Sequence, residues 1–120
     1  MEINSVKEIE SYITKDKSEI REIFNPNNST IENMSIAVAT VPVGKSTEYH
    51  FHRRSDEIYY ILRGIGILEI EGEEKEVRGN DCILIPVRKR HEITNVGKVP
   101  LKILCISSPP YSHDGTVLVK

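Results

Sequence analysis

The sequence predicts an all-β fold, a sandwich or barrel of short strands in a single domain. Three observations carry that prediction. Ile- and Val-rich runs recur along the chain and are repeatedly interrupted by Gly and Pro. Little of the chain shows helical periodicity, which favours packed sheets over a mixed architecture. The 120 residues are enough for one hydrophobic core and contain no internal linker. With 38% hydrophobic residues, five Tyr, two Phe and no Trp, that core is mainly aliphatic.

The elements follow in order. Residues 1–33 form an N-terminal segment expected to pack on the barrel or on a partner, and residues 34–120 form the barrel itself. Within the segment, Ser5 and Glu8 have the spacing of a capping box, and Val6, Ile9 and Ile13 fit a short helix. An extended stretch fits those residues equally well. Met34 to Val41 alternates and is β-rich, and Pro42 and Gly44 end it. A strand around His50 comes next, then Glu57 to Leu62, closed by Arg63-Gly64. Ile65 to Ile70 and Glu74 to Val77 flank Glu71-Gly72, a tight hairpin signal. Cys82 to Ile85, His91 to Val96 and Leu101 to Ser107 complete the strands. The tail from Ser108 to Thr116 reads as a polar surface loop, in which Tyr111, His113 and Asp114 could reach over the mouth.

The chemistry concentrates in Gly44-x5-His50-x-His52-x4-Glu57-x6-Gly64. A strand has a side-chain period of two, so His50 and His52 share a face with their Cα atoms about 7 Å apart. A short turn from Arg53 to Asp56 returns the chain, and Glu57 can add a carboxylate from the next strand. His91 is a fourth candidate ligand. Three imidazoles and one carboxylate suit a divalent transition-metal ion, whether iron, manganese, nickel, zinc or copper, and do not suit calcium or magnesium.

Residues 44 to 64 resemble the first motif of the cupin superfamily at every fixed position. Asn80-x5-Pro86 followed by His91-x3-Asn95 resembles the second, with Asn80 and Arg88 standing where that family usually has glycine. The resemblance covers roughly residues 34 to 108 and implies a small single-domain cupin, a double-stranded β-helix or jelly-roll barrel. It implies that His50, His52, Glu57 and His91 hold one metal ion, and it implies a homodimer.

Extending the strand alternation puts Glu48 on the face of His50 and His52, a candidate general base. The same rule puts Tyr59 and Ile61 on the face of Glu57, where the Tyr59 hydroxyl could orient a substrate. Arg53, Arg54, Arg88, Lys89 and Arg90 flank the ligands and could form a cationic collar for small anions. Cys82 and Cys105 read as two buried thiols on separate strands. A net charge of −2 gives no sign of a nucleic-acid partner. No apolar run approaches bilayer length and no basic-then-apolar leader opens the chain, so the expectation is a cytoplasmic protein without a membrane partner. The expected ligand is a small oxygenated molecule. Three roles remain open: Lewis-acid chemistry of the sugar-phosphate isomerase or epimerase kind, a non-haem metal oxygenase, or a binding and sensing module without turnover.

Overall fold

Alternation of side chains along each strand decides what this chain buries. In the computed structural model, which describes residues 1–119, β5 (Asp56–Arg63) turns Glu57, Tyr59 and Ile61 inward. β9 (His91–Asn95) turns His91, Ile93 and Asn95 inward in the same way. The remaining strands are β1 (Tyr12–Ile13), β2 (Glu19–Phe24), β3 (Ser35–Val41), β4 (His50–His52), β6 (Ile65–Ile70), β7 (Glu73–Arg78), β8 (Cys82–Ile85), β10 (Leu101–Ser108) and β11 (Thr116–Leu118). They form two antiparallel sheets, one ordered β1-β2-β3-β10-β5-β8 and the other β11-β4-β9-β6-β7. The core draws Ala39, Val41, Ile61, Leu101 and Ile103 from the first sheet and Leu68, Val77 and Ile93 from the second. Fully burying an aliphatic side chain of this size contributes roughly 1.5–3 kcal/mol.

Register turns the first sheet's inner face into rows of graded polarity. Ser35, Ser107, Glu57 and Ile85 stand side by side, and the next row is Ala37, Cys105, Tyr59 and Ile83. Ala39, Ile103 and Ile61 follow, and Val41 with Leu101 ends the series. The small residues Ser35, Ala37, Ala39 and Ser107 leave space at the polar end, and the branched residues fill the other. On the outer face the same register lines up Ile36, Ile106, Ile58 and Leu84, and beside them Val38, Leu104, Tyr60 and Cys82. Leu84 is 61% exposed there.

Turn chemistry follows the sequence closely. Glu71 (φ 49°) and Gly72 (φ 87°) are both left-handed, as the two-residue hairpin between β6 and β7 requires. Asn80 (φ 77°) and Arg88 (φ 67°), the two residues standing where cupins favour glycine, both adopt left-handed backbone angles.

One expectation needs correction, that Cys82 is buried, and the alternative left open for the N-terminal segment falls to the extended reading. Val6–Glu8 is a single 3₁₀ turn and Ser5 makes no side-chain cap, so no capping-box helix forms. A helix that short is weak in isolation, whereas β1 and β2 add to the sheet through β3 of the same chain. Cys82 is exposed, because its side chain lies on the outer face of the edge strand β8; Cys105 is partly buried. The tail runs as a loop up to Gly115, as expected, and Thr116–Leu118 then pairs with β4 as the edge strand of the second sheet. Among the described residues no helix is long and apolar enough to cross a membrane.

Candidate metal centre

His50 and His91 are direct partners across β4 and β9, and Thr116 of β11 stands opposite His52. The three imidazoles therefore converge from one sheet, while Glu57 approaches from the other. His50, His52 and His91 are buried, and their ligating atoms lie within 4.8 Å of one another, so they could hold a metal ion. Oε1 of Glu57 lies 3.2 Å from Nε2 of His52 and 3.4 Å from Nε2 of His91.

Hydrogen bonds behind the rings set which nitrogen faces inward. Nδ1 of His50 meets the Glu48 carbonyl at 2.7 Å, and Nδ1 of His91 meets the Lys89 carbonyl at 2.9 Å. A carbonyl can only accept, so both rings carry their proton on Nδ1 when neutral. The Thr116 hydroxyl donates to the Ser112 carbonyl at 3.0 Å, which leaves its oxygen to accept from Nδ1 of His52 at 3.2 Å. Each neutral ring thus turns the Nε2 lone pair toward the others. That is the arrangement in which outer partners orient histidine ligands for a metal. Nε2 of His52, Nε2 of His91 and Oε1 of Glu57 are buried and have no hydrogen-bond partner. Such groups are costly to leave unpaired, and an ion bound between them would satisfy all three.

The electrostatics agree. Burial, followed by the proximity of His91, pushes the His50 imidazole down to about 4. For His52, burial acts in the same direction, but the Glu57 carboxylate outweighs it and the net shift is upward. Burial alone would raise Glu57; contacts with His52 and His91 hold it well below the ordinary carboxylate range. Tyr59 and Cys105 are pushed well up, first by burial and then by the Glu57 charge, so both stay protonated.

His50, His52 and Glu57 open onto a cavity of about 40 Å³ between the sheets. Tyr59 and Cys105 line it, with Ser35, Ala37, Ala39 and Ser107 as the small residues that create it. Ile61 lies deeper and is fully buried. Glu48 is exposed and does not line the cavity; its backbone carbonyl orients His50. Arg53, Arg54, Arg88, Lys89 and Arg90 are all exposed, and none lines this cavity. Arg54 borders a separate hollow beside His52 and Pro109, and Arg88, Lys89 and Arg90 border a surface depression with Glu71.

Sequence reading missed several contributors. Asp16 places Oδ2 3.5 Å from Nε2 of His50, and Glu22 lines the same cavity. Of the three tail residues expected near the mouth, Tyr111 lines the cavity and His113 and Asp114 do not. Asp16 carried one local signal, an aspartate two residues before a serine in a turn, but it lies far from both motifs. Thr116 carried none.

Residues 37–107 match the family model described as "Cupin domain". The chain belongs to the cupin family. An uncharacterized protein of Methanocaldococcus jannaschii is 50% identical over 112 residues, 93% of this chain and 90% of that protein. An oxalate-binding protein of Thermotoga maritima is 32% identical over 66 residues, 55% of this chain and 54% of its own length. The solved structure of the polyketide cyclase RemF from Streptomyces resistomycificus superposes with a TM-score of 0.84 at 17% identity, covering 100% of this cupin and 86% of RemF. That last likeness concerns the fold alone.

Proposed function

We propose that this cupin holds one divalent transition-metal ion through His50, His52, Glu57 and His91 and binds a small oxygen-bearing molecule at it. The observation that carries the reading is the convergence of three unsatisfied buried atoms, Nε2 of His52, Nε2 of His91 and Oε1 of Glu57, beside the oriented ring of His50. When bound, such an ion supplies Lewis acidity toward a carbonyl, carboxylate or hydroxyl oxygen. The chain's own residues do the rest. Second partners on Nδ1 hold the imidazoles in one tautomer, and the aliphatic rows behind them keep water from the inner side. The Tyr59 hydroxyl, kept protonated, is available to donate to a ligand oxygen in the cavity.

The cavity's modest size supports a ligand of few heavy atoms. A relative named for binding oxalate supports a small-molecule role of this general kind. Sugar-phosphate isomerisation would draw on cations around a phosphate, and the five basic residues lie outside the cavity lining, so the wider reading is kept. A second copy of the chain completes the proposal. It would cover the two apolar rows on the outer face, from Ile36 to Leu84 and from Val38 to Cys82.

The test begins with metal content by plasma emission on protein purified without an affinity tag. Stoichiometric metal in the wild type and its loss in His52→Ala, with an unchanged far-UV circular dichroism spectrum, is the expected result. Equal metal in both would defeat the assignment. A screen of small carbonyl, hydroxy and carboxylate compounds, run under air and under argon, then separates Lewis-acid chemistry from oxygenation.

A further inference from the structure

Asp16 sits in the five-residue connection between β1 and β2, and that connection is unusually well tied down. The Asp16 carbonyl accepts from the Glu48 N–H at 2.7 Å, and Lys15 Nζ donates to the carbonyls of His113 and Thr116. Lys17 takes a left-handed angle (φ 75°) to close the turn. The carboxylate itself is asymmetric. Oδ1 accepts from the hydroxyl of Thr14, from the Ser18 N–H at 3.0 Å and from the Ser18 hydroxyl at 2.7 Å. Oδ2 accepts no hydrogen bond among the described residues, lies 3.5 Å from Nε2 of His50, and the side chain is only 13% exposed. One oxygen is saturated, and the other is held toward the cavity.

The same cavity offers a second free acceptor. Oε1 of Glu22 takes the Tyr12 hydroxyl at 2.9 Å, while Oε2 is buried without a partner. No Lys or Arg lines the cavity. Carboxylate oxygens can only accept, so a ligand that fits here must bring donors, and an anion would meet the like charge of Asp16 and Glu22 with no cationic side chain beside it.

Resting on the metal reading above, we infer that Asp16 is a specificity-determining residue that selects an uncharged, hydroxyl-bearing ligand. The ligand meets the ion with one oxygen and donates a hydroxyl to Asp16 Oδ2, with Glu22 receiving a donor further out. Small anions are disfavoured, and the surface arginines take no part.

The experiment uses the full chain loaded with cobalt(II), whose visible absorption reports both occupancy and ligand exchange. Azide serves as the anionic probe and dihydroxyacetone as the uncharged hydroxylated one. Asp16→Asn keeps an oxygen for the Thr14 and Ser18 donors and removes the charge. It should bind azide about tenfold more tightly than wild type and dihydroxyacetone about tenfold more weakly. Glu22→Gln should shift both in the same senses by about threefold, which keeps the test decisive if Asp16→Asn does not fold. No cobalt uptake by the wild type would overturn the metal reading and the inference with it. Full uptake with unchanged affinities in both variants would overturn the inference alone. Loss of cobalt from Asp16→Asn, or an altered spectrum before any probe is added, would make Asp16 a metal ligand and likewise overturn it.

Discussion

The two ends of the interior are built on the same strands and obey opposite rules. At one end Val41, Ile61, Ile93, Leu101 and Ile103 fill space with aliphatic carbon and are no more than 2% exposed. At the other, Ser35, His50, His52, Glu57, His91 and Ser107 are buried to nearly the same degree, yet leave a cavity and unsatisfied atoms. On β5 the change takes five residues, from Glu57 through Tyr59 to Ile61. The aliphatic end stabilises the fold; the polar end lowers stability unless something binds there. That is the ordinary relation between a scaffold and its site, carried here within single strands.

The largest test of the contrast is a pair of truncations. Ile61→Ala should cost about 3–4 kcal/mol of stability in denaturant titrations and leave metal stoichiometry unchanged. His52→Ala should remove most bound metal, yet cost less than Ile61→Ala in the metal-free protein, because the loss of its contacts with Glu57 and Thr116 is partly offset by removing a buried nitrogen without a hydrogen bond. Metal in excess should then stabilise the wild type and Ile61→Ala, by about 2.7 kcal/mol at a hundredfold over Kd, and leave His52→Ala where it was. Equal losses for both truncations in metal-free protein would erase the distinction between the two ends.

Acid should act on one end alone. In metal-free protein the unfolded chain takes up a proton at His50 near 6.5 while the folded one waits until about 4, so this group lowers stability as pH falls between those values. His52 acts in the opposite sense, since its folded value is raised and protonation favours the native state. Below about 4.5 Glu57 joins His50, because its carboxylate is protonated first in the unfolded chain. Stability should therefore begin to fall below pH 6.5, where His52 has already made its full contribution and His50 alone titrates in the unfolded chain, and keep falling below 4.5 as Glu57 joins. Urea midpoints against pH would check the profile, and Ile61→Ala should lower the whole curve without altering its shape.

How much of each end was readable from the sequence differs for a physical reason. The aliphatic strands announced themselves by alternation, and the four candidate ligands by spacing, because both are local patterns along one strand or two neighbouring ones. Asp16, Glu22 and Thr116 were not readable. They reach the site through β1, β2 and β11, short strands whose placement depends on tertiary pairing with β3 and β4. Glu48 illustrates the converse. Alternation put it on the histidine face, but β4 begins only at His50, and before it the chain is no longer a regular strand.

The outer face yields a smaller effect. Leu84→Lys places a charge in the row that runs through Ile58, Ile106 and Ile36. Light scattering should move from dimer toward a monomer of 13.7 kDa, while the stability of the monomer changes by no more than about 0.5 kcal/mol. A wild type that is monomeric at micromolar concentration would remove the second copy from the proposal.

The smallest effect concerns Arg88, which holds a left-handed angle, φ 67°, where glycine is favoured. A side chain there costs roughly 1–2 kcal/mol relative to right-handed backbone. Arg88→Gly removes that strain but raises the unfolded chain's entropy, so the net gain should be about 0.5 kcal/mol. The backbone bond from Arg88 N–H to the His52 carbonyl at 2.8 Å is independent of the side chain and should persist. What is lost is an exposed contact of 3.3 Å from Nε to the Arg53 carbonyl, worth little in water. The variant also decides between two sources of ligand preference. A cationic collar that draws in anions would make azide binding to the cobalt protein weaker and less sensitive to salt in Arg88→Gly. The location of Arg88 outside the cavity predicts the same azide affinity as wild type, with any change in charge preference confined to Asp16 and Glu22.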